Sequence, residues 1–413
     1  MISKKTVLIL GAGASCHLDF PLGQALIEDV YRFVYAESVG IRNVSATVLQ
    51  QGNQPLIDAK FKNAELLERF LDLSGAIKKD GKKYTSKDVE QFAEHLFRSQ
   101  PSSIDFFLEK NPHYGLLGKI CIIFCLSRHE NQHSWRHFPS RFPERLQREF
   151  PNFGWYQYLW HRMTEGCKTL NDLIKNKITI ITFNYDRSLE HYLMEAIKSF
   201  FNAEEADAAE VFKAIKIKHV YGKLGKFYWE VNYLEDSSSK GPDEIMMETA
   251  VYTPWEINCF FRLMGSVGEY GMARSDFDSG RTALSQSTRE ALVKKFNRVA
   301  QEIRTFYEAI NEDRKKEYVA DIYEAQKIYF LGFGYHELNM KALGLDTEKP
   351  KKDAYIFGTA LGKTPIEVNH LKGSISNLMV GPNLVDIRNL WDRSGDPSAL
   401  LIKNFLREVA PLD

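Results

Sequence analysis

Short apolar runs that end at glycine or polar residues recur along the chain. The first, TVLIL at residues 6–10, leads directly into the segment GAGAS. An uninterrupted apolar run of this length is typical of a strand that is buried on both faces of a parallel sheet. From Pro21 onward, apolar residues recur at helical spacing and predict a helix. Strand, glycine turn and helix in this order indicate the opening of a nucleotide-binding α/β unit.

The strand pattern returns later in the chain, separated by long helical or irregular stretches. Further strands are predicted within residues 178–183, 215–222, 327–335, 354–360 and 383–389. We therefore predict an α/β fold, in which a Rossmann-like parallel sheet domain carries inserted helical modules. This domain is expected to be discontinuous and to comprise residues 1–40, 171–230 and 320–413. Residues 41–170 are expected to form a helical insertion, and residues 231–319 a second, mostly helical insertion.

Composition narrows the class of protein. The 413 residues include 54 Lys plus Arg and 54 Asp plus Glu, so the net charge is zero, which argues against a protein dominated by binding to a phosphate backbone. Five cysteines form an odd set without the spacing of a disulfide framework, as expected of a cytoplasmic protein. The apolar run near the start breaks at Gly11, too early for a signal peptide, and ICIIFCL at 120–126 is too short to span a membrane.

The segment GAGAS carries the first candidate chemistry. Glycines after a buried strand allow backbone N–H groups to approach a pyrophosphate, and a helix N-terminus that follows favours negative charge. Gly11, Ala12 and Gly13 would supply the backbone, and Ser15 a hydroxyl group. A tight turn without a ligand is the alternative. Cys16 occupies the position at which dinucleotide-binding loops have a third glycine. No acidic residue follows at the sequence distance from which such a residue usually binds the ribose. A standard dehydrogenase is therefore not expected.

Polar and glycine residues also follow the other predicted strands. Asn184 and Asp186 come directly after the second strand, His219 ends the third, and Gly332 and Gly334 follow the fourth. Because ligands bind outside the carboxyl ends of parallel strands, we expect these residues to meet at one edge of the sheet. Each also has an ordinary interpretation: an amide or carboxylate that caps the next helix, or a histidine that is satisfied by the backbone.

These motifs resemble a known family. GAGAS with Pro21 and Gly23 downstream, FNYD, HVYG and FLGFGY resemble the sirtuin-like NAD-consuming domains of bacterial anti-phage defence proteins. SIDFFLE at 103–109 and GKICIIFCL at 118–126 are similar to the helical insertion of that group. The resemblance implies a Rossmann-like fold, with NAD+ as the substrate and nicotinamide and ADP-ribose as the products. The expected catalytic residues are Asn184, His219 and Asp186, and the expected NAD-binding residues are Gly11, Ala12, Gly13, Ser15, Pro21, Gly332 and Gly334.

The chain departs from the protein-deacylating sirtuins in two places. It lacks the two Cys-x-x-Cys pairs of a structural zinc ribbon, since Cys121 and Cys125 lie four apart in an apolar helix pattern. The segment FPLG lacks the Asp-Phe-Arg run that is typical of deacylases. His129, His133 and His137 share a helical spacing, but no closing ligand is evident. We therefore expect no metal, and the departures weaken deacylation without affecting NAD+ cleavage.

The chemistry of NAD+ cleavage is compatible with these residue types. Nicotinamide departs as a neutral molecule, so the general acid of an ordinary glycosidase is not required. The site must position a water molecule and stabilise an oxocarbenium-like ribose. Asn184 can orient water or a ribose hydroxyl group, and Asp186 can hold the carboxamide or lie near the developing positive charge. His219 is suited to act as a general base toward a ribose hydroxyl group or water.

The leading hypothesis is an NAD+ glycohydrolase that acts in anti-phage defence by depleting NAD+. Such an enzyme needs control, so we expect a homo-oligomer or a partner in trans, for which the resemblance suggests a HerA-type hexameric ATPase. Nucleic acid would be contacted only through a partner. Two alternatives remain: a non-catalytic subunit that senses NAD+ or ADP-ribose, and an NAD-dependent deacylase or ADP-ribosyltransferase.

Overall fold

A single parallel sheet organises the chain. The computed structural model describes residues 1–18, 20–35, 63–78, 80–132, 154–232, 286–309, 312–344, 354–360, 363–378, 384–388 and 399–412. Its strands are β1 (Thr6–Leu10), β2 (Ile178–Thr182), β3 (Lys216–His219), β4 (Lys327–Leu331), β5 (Tyr355–Thr359) and β6 (Leu384–Arg388). They pair in the order β3-β2-β1-β4-β5-β6, and every pair is parallel. This is the strand order of the doubly wound dinucleotide-binding fold, so the predicted α/β, Rossmann-like class is confirmed.

The central strand is buried on both faces, as its apolar sequence predicts. All five residues of β1 are buried, and Thr6 lies in register with Ile178 of β2 on one side and Lys327 of β4 on the other. β2 is equally buried along its length. β3 alternates between basic and apolar residues and pairs only with β2 among the described strands, which makes it an edge of the sheet.

Helices occupy most of the remaining described chain. The α-helices span Gly23–Tyr35, Asn63–Leu73, Ser86–Ser99, Ile104–Lys110, Gly115–Gln132, Gly154–Thr164, Ser188–Phe201, Glu205–Ala214, Tyr228–Asn232, Gln286–Glu302, Phe306–Ala309, Glu312–Glu324, Glu337–Ala342, Pro365–Leu378 and Ala399–Asn404. Short 3-10 turns lie at Ala12–Ala14, Cys16–Leu18, Pro112–Tyr114 and Leu170–Lys175, and a π-helical turn at Phe405–Val409. None of the helices in the described ranges has the length and apolar character needed to cross a bilayer.

The chain divides into two compact units. The first, here called the sheet unit, comprises Met1–Leu22, Arg128–Thr249 and Glu302–Asp413. It contains all six strands, and within it the helix Gly154–Thr164 packs on Ser188–Phe201 and on Ala399–Asn404. The predicted domain boundaries were drawn from sequence pattern and stay a prediction.

The second, here called the helical unit, comprises Gly23–Ser127 and Ala250–Gln301. Its described core includes a cluster of fully buried phenylalanine rings, at Phe33, Phe70, Phe124 and Phe296. Phe124 stacks on Phe33 with centroids 5.5 Å apart and on Phe296 with centroids 5.3 Å apart. These rings bring four helices together around one apolar centre.

Candidate functional site

The carboxyl ends of three neighbouring strands carry most of the predicted site residues. β1 runs into the first glycine loop (residues 11–15), and β4 runs into the second glycine loop (residues 332–335). β2, on the other side of β1, runs into Asn184 and Asp186. The strand order reverses between β1 and β4, and open parallel sheets bind ligands in the crevice at such a point. Both glycine loops lie there.

The two glycine loops are locked together by their backbones. The Gly11 N–H donates to the Leu331 carbonyl at 3.1 Å, and the Gly13 N–H donates to the Gly332 carbonyl at 3.0 Å. Gly332 has φ of +57°, and a Cβ atom there would lie 2.2 Å from the Ala14 nitrogen. Glycine is therefore needed because one loop packs directly on the other, in addition to any role in approaching a ligand.

The helix predicted from Pro21 onward is present, but short turns separate it from the first glycine loop. Two 3-10 turns, Ala12–Ala14 and Cys16–Leu18, intervene, and the α-helix begins only at Gly23, beyond Pro21. The reason is local: the Ala14 N–H bonds back to the Gly11 carbonyl at 2.8 Å and closes a turn. The helix N-terminus that the sequence suggested at this loop is thus replaced by short turns.

Near the point where the strand order reverses, some backbone N–H groups have no hydrogen-bond acceptor among the described residues. The N–H groups of Ala12, Phe333 and Gly334 make no hydrogen bond to any residue that the structure describes. Gly334 is exposed, and a Cβ atom there would have only the Asn339 side-chain nitrogen within 4.0 Å. These three amides are the backbone groups that a phosphate or carboxamide oxygen could use.

Three predicted site residues form one hydrogen-bonded cluster. Asn184 Nδ2 donates to Ser15 Oγ at 3.1 Å, and Ser15 Oγ donates to Asp186 Oδ2 at 2.9 Å. The Asn184 side-chain oxygen is buried and has no hydrogen-bond partner among the described residues. Ser15 thus holds the amide by its nitrogen, and the Oδ1 atom of Asn184 is left as an acceptor without a donor.

Asp186 is the buried residue that holds Ser15 in this cluster. The side chain is 7% exposed, and its second oxygen accepts hydrogen bonds from both the backbone N–H and the hydroxyl group of Ser188. Tyr156 Oη lies 2.8 Å from Ser188 Oγ and extends the chain of hydrogen bonds. Burial raises the pKa of Asp186 above its ordinary value, although the hydrogen bonds from Ser188 and Ser15 favour the carboxylate. Asp186 therefore acts on Asn184 through Ser15, because both of its carboxyl oxygens already accept hydrogen bonds from Ser15 or Ser188.

His219 lies at the end of β3, and both of its ring nitrogens are engaged. Nδ1 lies 3.1 Å from the backbone carbonyl oxygen of Asn184, and Nε2 lies 2.6 Å from Glu190 Oε1. A carbonyl oxygen and a carboxylate oxygen are both acceptors, so each ring nitrogen is engaged by a neighbouring group of the chain. In this arrangement neither nitrogen is placed to remove a proton from a substrate, and His219 instead fixes the backbone of Asn184.

Glu190 belongs to a buried chain of alternating charges. Its Oε1 also accepts from Arg187 Nε at 2.7 Å, and Arg187 Nη2 donates to Glu230 Oε1 at 2.8 Å. Lys223 Nζ lies 2.8 Å from the same Glu230 oxygen. Burial alone would raise the pKa of Glu190, but the charges of Arg187 and His219 hold it well below its ordinary value. Likewise, Arg187 and Lys223 outweigh burial and lower the pKa of Glu230 to about 2.

Aromatic rings line the chain near these strand ends. Phe183 contacts Tyr221 and Phe333 with ring centroids 5.3 Å and 5.1 Å apart, and Phe333 contacts Tyr335 at 5.3 Å. Tyr335 has φ of +47°, and its buried hydroxyl group has no hydrogen-bond partner among the described residues. A positive φ at a bulky residue is strained, and such strain is concentrated at functional sites.

The sequence analysis did not identify the residues that position the predicted site residues. Ser188, Tyr156, Glu190 and Arg187 all contribute to the cluster or to the His219 contacts, yet their helical positions look ordinary. One signal was present: Arg187 and Glu190 have the i, i+3 spacing of an ion pair.

Metal ligands are not grouped in the described part of the chain. There, His, Cys, Asp and Glu side chains form no cluster of three that could hold a metal ion. The side chains of His129, His133 and His137 lie outside the described ones.

Comparison with known proteins leaves the site to be interpreted from its own geometry. No protein-family model, no curated protein and no solved structure matches the chain. The resemblance to sirtuin-like domains therefore rests on the sequence motifs alone.

Proposed function

We propose that the protein is an NAD+ glycohydrolase that releases nicotinamide and ADP-ribose. The observation that carries the proposal is the Asn184 side chain, held by Ser15 and Asp186 with its oxygen unpartnered among the described residues, at the carboxyl edge of the sheet. An amide oxygen in this position can accept a hydrogen bond from water or from a ribose hydroxyl group. Beside it, at the point where the strand order reverses, three amide N–H groups make no hydrogen bond to any described residue. This arrangement suits the pyrophosphate of a dinucleotide.

The hydrogen-bond partners of Asp186 and His219 favour this reaction over ordinary glycoside hydrolysis. The Asp186 carboxyl is enclosed by donors, and the His219 ring is held between two acceptors. Neither group is placed to protonate a leaving group. Nicotinamide needs no such proton, because it leaves NAD+ as a neutral molecule, and breaking its bond requires mainly orientation and electrostatic stabilisation.

The physiological role follows from the resemblance and is part of the same proposal. Anti-phage defence through NAD+ depletion requires that the enzyme be inactive in healthy cells. Control by a homo-oligomer or by a HerA-type ATPase partner would satisfy that requirement. The deacylase and ADP-ribosyltransferase alternatives gain no support from a specific contact.

One observation favours a second candidate, a subunit that binds NAD+ or ADP-ribose without cleaving it. Both nitrogens of His219 are occupied, so the general base that the sequence predicted is not available in this arrangement. A pure binder needs no base. Cleavage remains the stronger proposal because a water molecule that attacks an oxocarbenium-like ribose needs little activation.

The test is nicotinamide release from NAD+, followed by chromatography, for wild type and Asn184→Ala. We expect wild type to release nicotinamide and the variant to lose about 100-fold or more in kcat, the range found when one positioned polar group is removed from an active site. Asn369→Ala removes an exposed asparagine from the helix Pro365–Leu378 and should match wild type.

Two results would contradict the hydrolase. Equal turnover by wild type and Asn184→Ala would remove Asn184 from the mechanism. Tight NAD+ binding by calorimetry without any nicotinamide, alone or with a co-purified partner, would identify the protein as a sensing subunit. Circular dichroism melting of each variant separates loss of chemistry from loss of fold.

A further inference from the structure

A cavity of about 480 Å³ opens at the free edge of β3, within the sheet unit. It is lined by Ile217, Lys218, His219, Gly222, Lys223, Lys226, Glu302, Arg304 and Tyr318. Successive residues of a strand point to opposite faces, so lining by three consecutive residues of β3 places the cavity at the strand edge. Of the residues predicted for the candidate site, His219 alone is among the described lining residues.

Positive charge dominates the cavity wall. Four basic side chains line it, those of Lys218, Lys223, Lys226 and Arg304, against the single carboxyl group of Glu302 among the described lining residues. Lys218 lies 2.7 Å from Asp321 and Lys223 lies 2.8 Å from Glu230, so the charge of each is partly neutralised. A concave surface lined mainly by one sign of charge concentrates counter-ions of the other sign.

The ionisable groups in the wall respond to this environment. Burial, and then the charge of Arg187, lower the pKa of Lys223 below its ordinary value. Burial raises the pKa of Glu302 even though nearby lysines favour its ionised form. Its buried Oε2 atom has no hydrogen-bond partner in the described part of the chain. A carboxyl group that retains its proton more readily can donate to an anionic oxygen.

The cavity wall is a built structure rather than a chance depression. Gly222 has φ of +81°, and a Cβ atom there would lie 1.8 Å from the Glu302 carbonyl oxygen. Next to this contact, the Arg304 N–H donates to the Tyr221 carbonyl at 2.8 Å. The loop after β3 and the segment that carries Glu302 and Arg304 are therefore joined by their backbones, which fixes the base of both side chains.

The ligand class follows from charge and size. An arginine guanidinium presents a planar fork that matches phosphate oxygens, and lysines beside it supply further charge. The volume falls within the roughly 300–1,000 Å³ typical of small-molecule sites and exceeds what an isolated phosphate needs. Ile217 and Tyr318 add apolar surface of the kind that packs on a sugar or a base.

We propose that this cavity is a second binding site, which takes a phosphate-bearing small molecule of nucleotide size through Arg304 and Lys226. The Asn184 cluster includes neither Arg304 nor Lys226, but the two sites are adjacent, because His219 lines the cavity and also contacts the Asn184 backbone carbonyl. Lys223 is connected to His219 through Glu230, Arg187 and Glu190. Lys223 and His219 both line the cavity, so a bound ligand would touch both ends of this buried charge chain, including the end that holds the Asn184 backbone.

The test is isothermal titration of the full chain with ADP, inorganic pyrophosphate and inorganic phosphate. We expect ADP and pyrophosphate to bind, and Arg304→Ala and Lys226→Ala each to weaken that binding about tenfold or more, as loss of a hydrogen bond to a charged group predicts. Arg407→Ala and Lys168→Ala remove exposed cations of the same unit elsewhere and should retain wild-type affinity.

A variant at the glycine loop separates this site from the proposed substrate site. Binding in the cavity should survive Ser15→Ala and Asn184→Ala, including when nicotinamide release is lost. If Ser15→Ala abolishes ADP binding and Arg304→Ala does not, the ligand binds at the glycine loops and the proposal is wrong. It is equally wrong if no probe binds, or if inorganic phosphate binds as tightly as ADP. Arg304→Lys, which keeps the charge, guards against misfolding and should regain part of the affinity.

Discussion

At the scale of single residues, the hydroxyl group of Ser15 decides how Asn184 is presented. It accepts from the amide nitrogen and donates to Asp186, so the amide oxygen is the atom left over. If that hydroxyl is removed, the amide is free to turn, and the carboxylate loses one of its donors. The orientation of Asn184 therefore depends on a residue of the first glycine loop, far away in sequence.

We predict that Ser15→Ala lowers kcat for nicotinamide release by about tenfold or more and changes KM less. The reason is that a misoriented amide impairs positioning of the reacting groups more than it impairs overall binding. Ser99→Ala, which removes an exposed serine hydroxyl group from the helical unit, is the matched control. A larger change in KM than in kcat would assign Ser15 to binding alone.

The buried charge chain predicts how stability changes with acid. The pKa of Glu230 is about 2 in the folded protein against an ordinary value of 4.5, and that of Glu190 is also lowered. Because the unfolded chain binds these protons more readily, the stabilisation is present above about pH 4.5 and is lost as pH falls toward about 2. Urea unfolding followed by fluorescence, between pH 7 and pH 3, measures this slope.

We expect Glu230→Gln to be less stable than wild type at pH 7 and to show a shallower loss of stability toward low pH. The amide cannot balance the charges of Arg187 and Lys223, which stay buried beside it. Glu210→Gln, on an exposed face of the helix Glu205–Ala214, should keep the wild-type slope. Parallel slopes for wild type and Glu230→Gln would show that Glu230 does not contribute to acid unfolding.

At the scale of elements, the strands were predictable and the loops were not. β1 and β2 are continuous apolar runs because they are buried on both faces, and the structure confirms both. The turn after β1 was expected to cradle a phosphate at a helix N-terminus. Its N–H groups instead bond largely to the second glycine loop and to its own turn, a partner that no local pattern identifies.

For His219 too, the position could be predicted from the sequence and the hydrogen-bond partners could not. Its place at the end of β3 could be inferred from sequence, but its partners could not. Glu190 lies in a helix where any polar residue would be expected to face solvent, and the other contact is a backbone carbonyl, which has no sequence signature. The edge of the sheet was thus predictable, whereas the hydrogen bonds that set the chemistry were not.

The contact between the glycine loops predicts a large effect of substitution. Gly332→Ala should lower the melting temperature strongly, because the new Cβ atom would approach the Ala14 nitrogen to 2.2 Å and the residue would keep a positive φ. Gly166→Ala is the matched control, since Gly166 also has positive φ, +77°, but its new methyl carbon would have no described atom within 4 Å. Thermal melting by circular dichroism compares the two, and similar losses would mean that backbone strain alone accounts for the effect.

At the scale of the whole molecule, one sheet unit carries the candidate site and the basic cavity, and a helical unit is made from two separate stretches of chain. The sequence between β1 and β2, and again between β3 and β4, was expected to form helical insertions, and the boundaries of these insertions stay a prediction. Where each unit begins was harder to infer, because helices that pack on the sheet and helices of a separate unit have the same amphipathic pattern.

The central position of β1 has a consequence for biosynthesis. β1 is the first of the described strands to leave the ribosome, yet its two neighbours are Ile178–Thr182 and Lys327–Leu331. At translation rates of about 5–20 residues per second, the second neighbour follows on the order of tens of seconds later. Throughout that interval an almost entirely apolar strand has one edge or both without a partner, a state prone to aggregation. Yield in the cell should therefore depend on chaperones that shield the nascent N-terminal strand until β4 has been made.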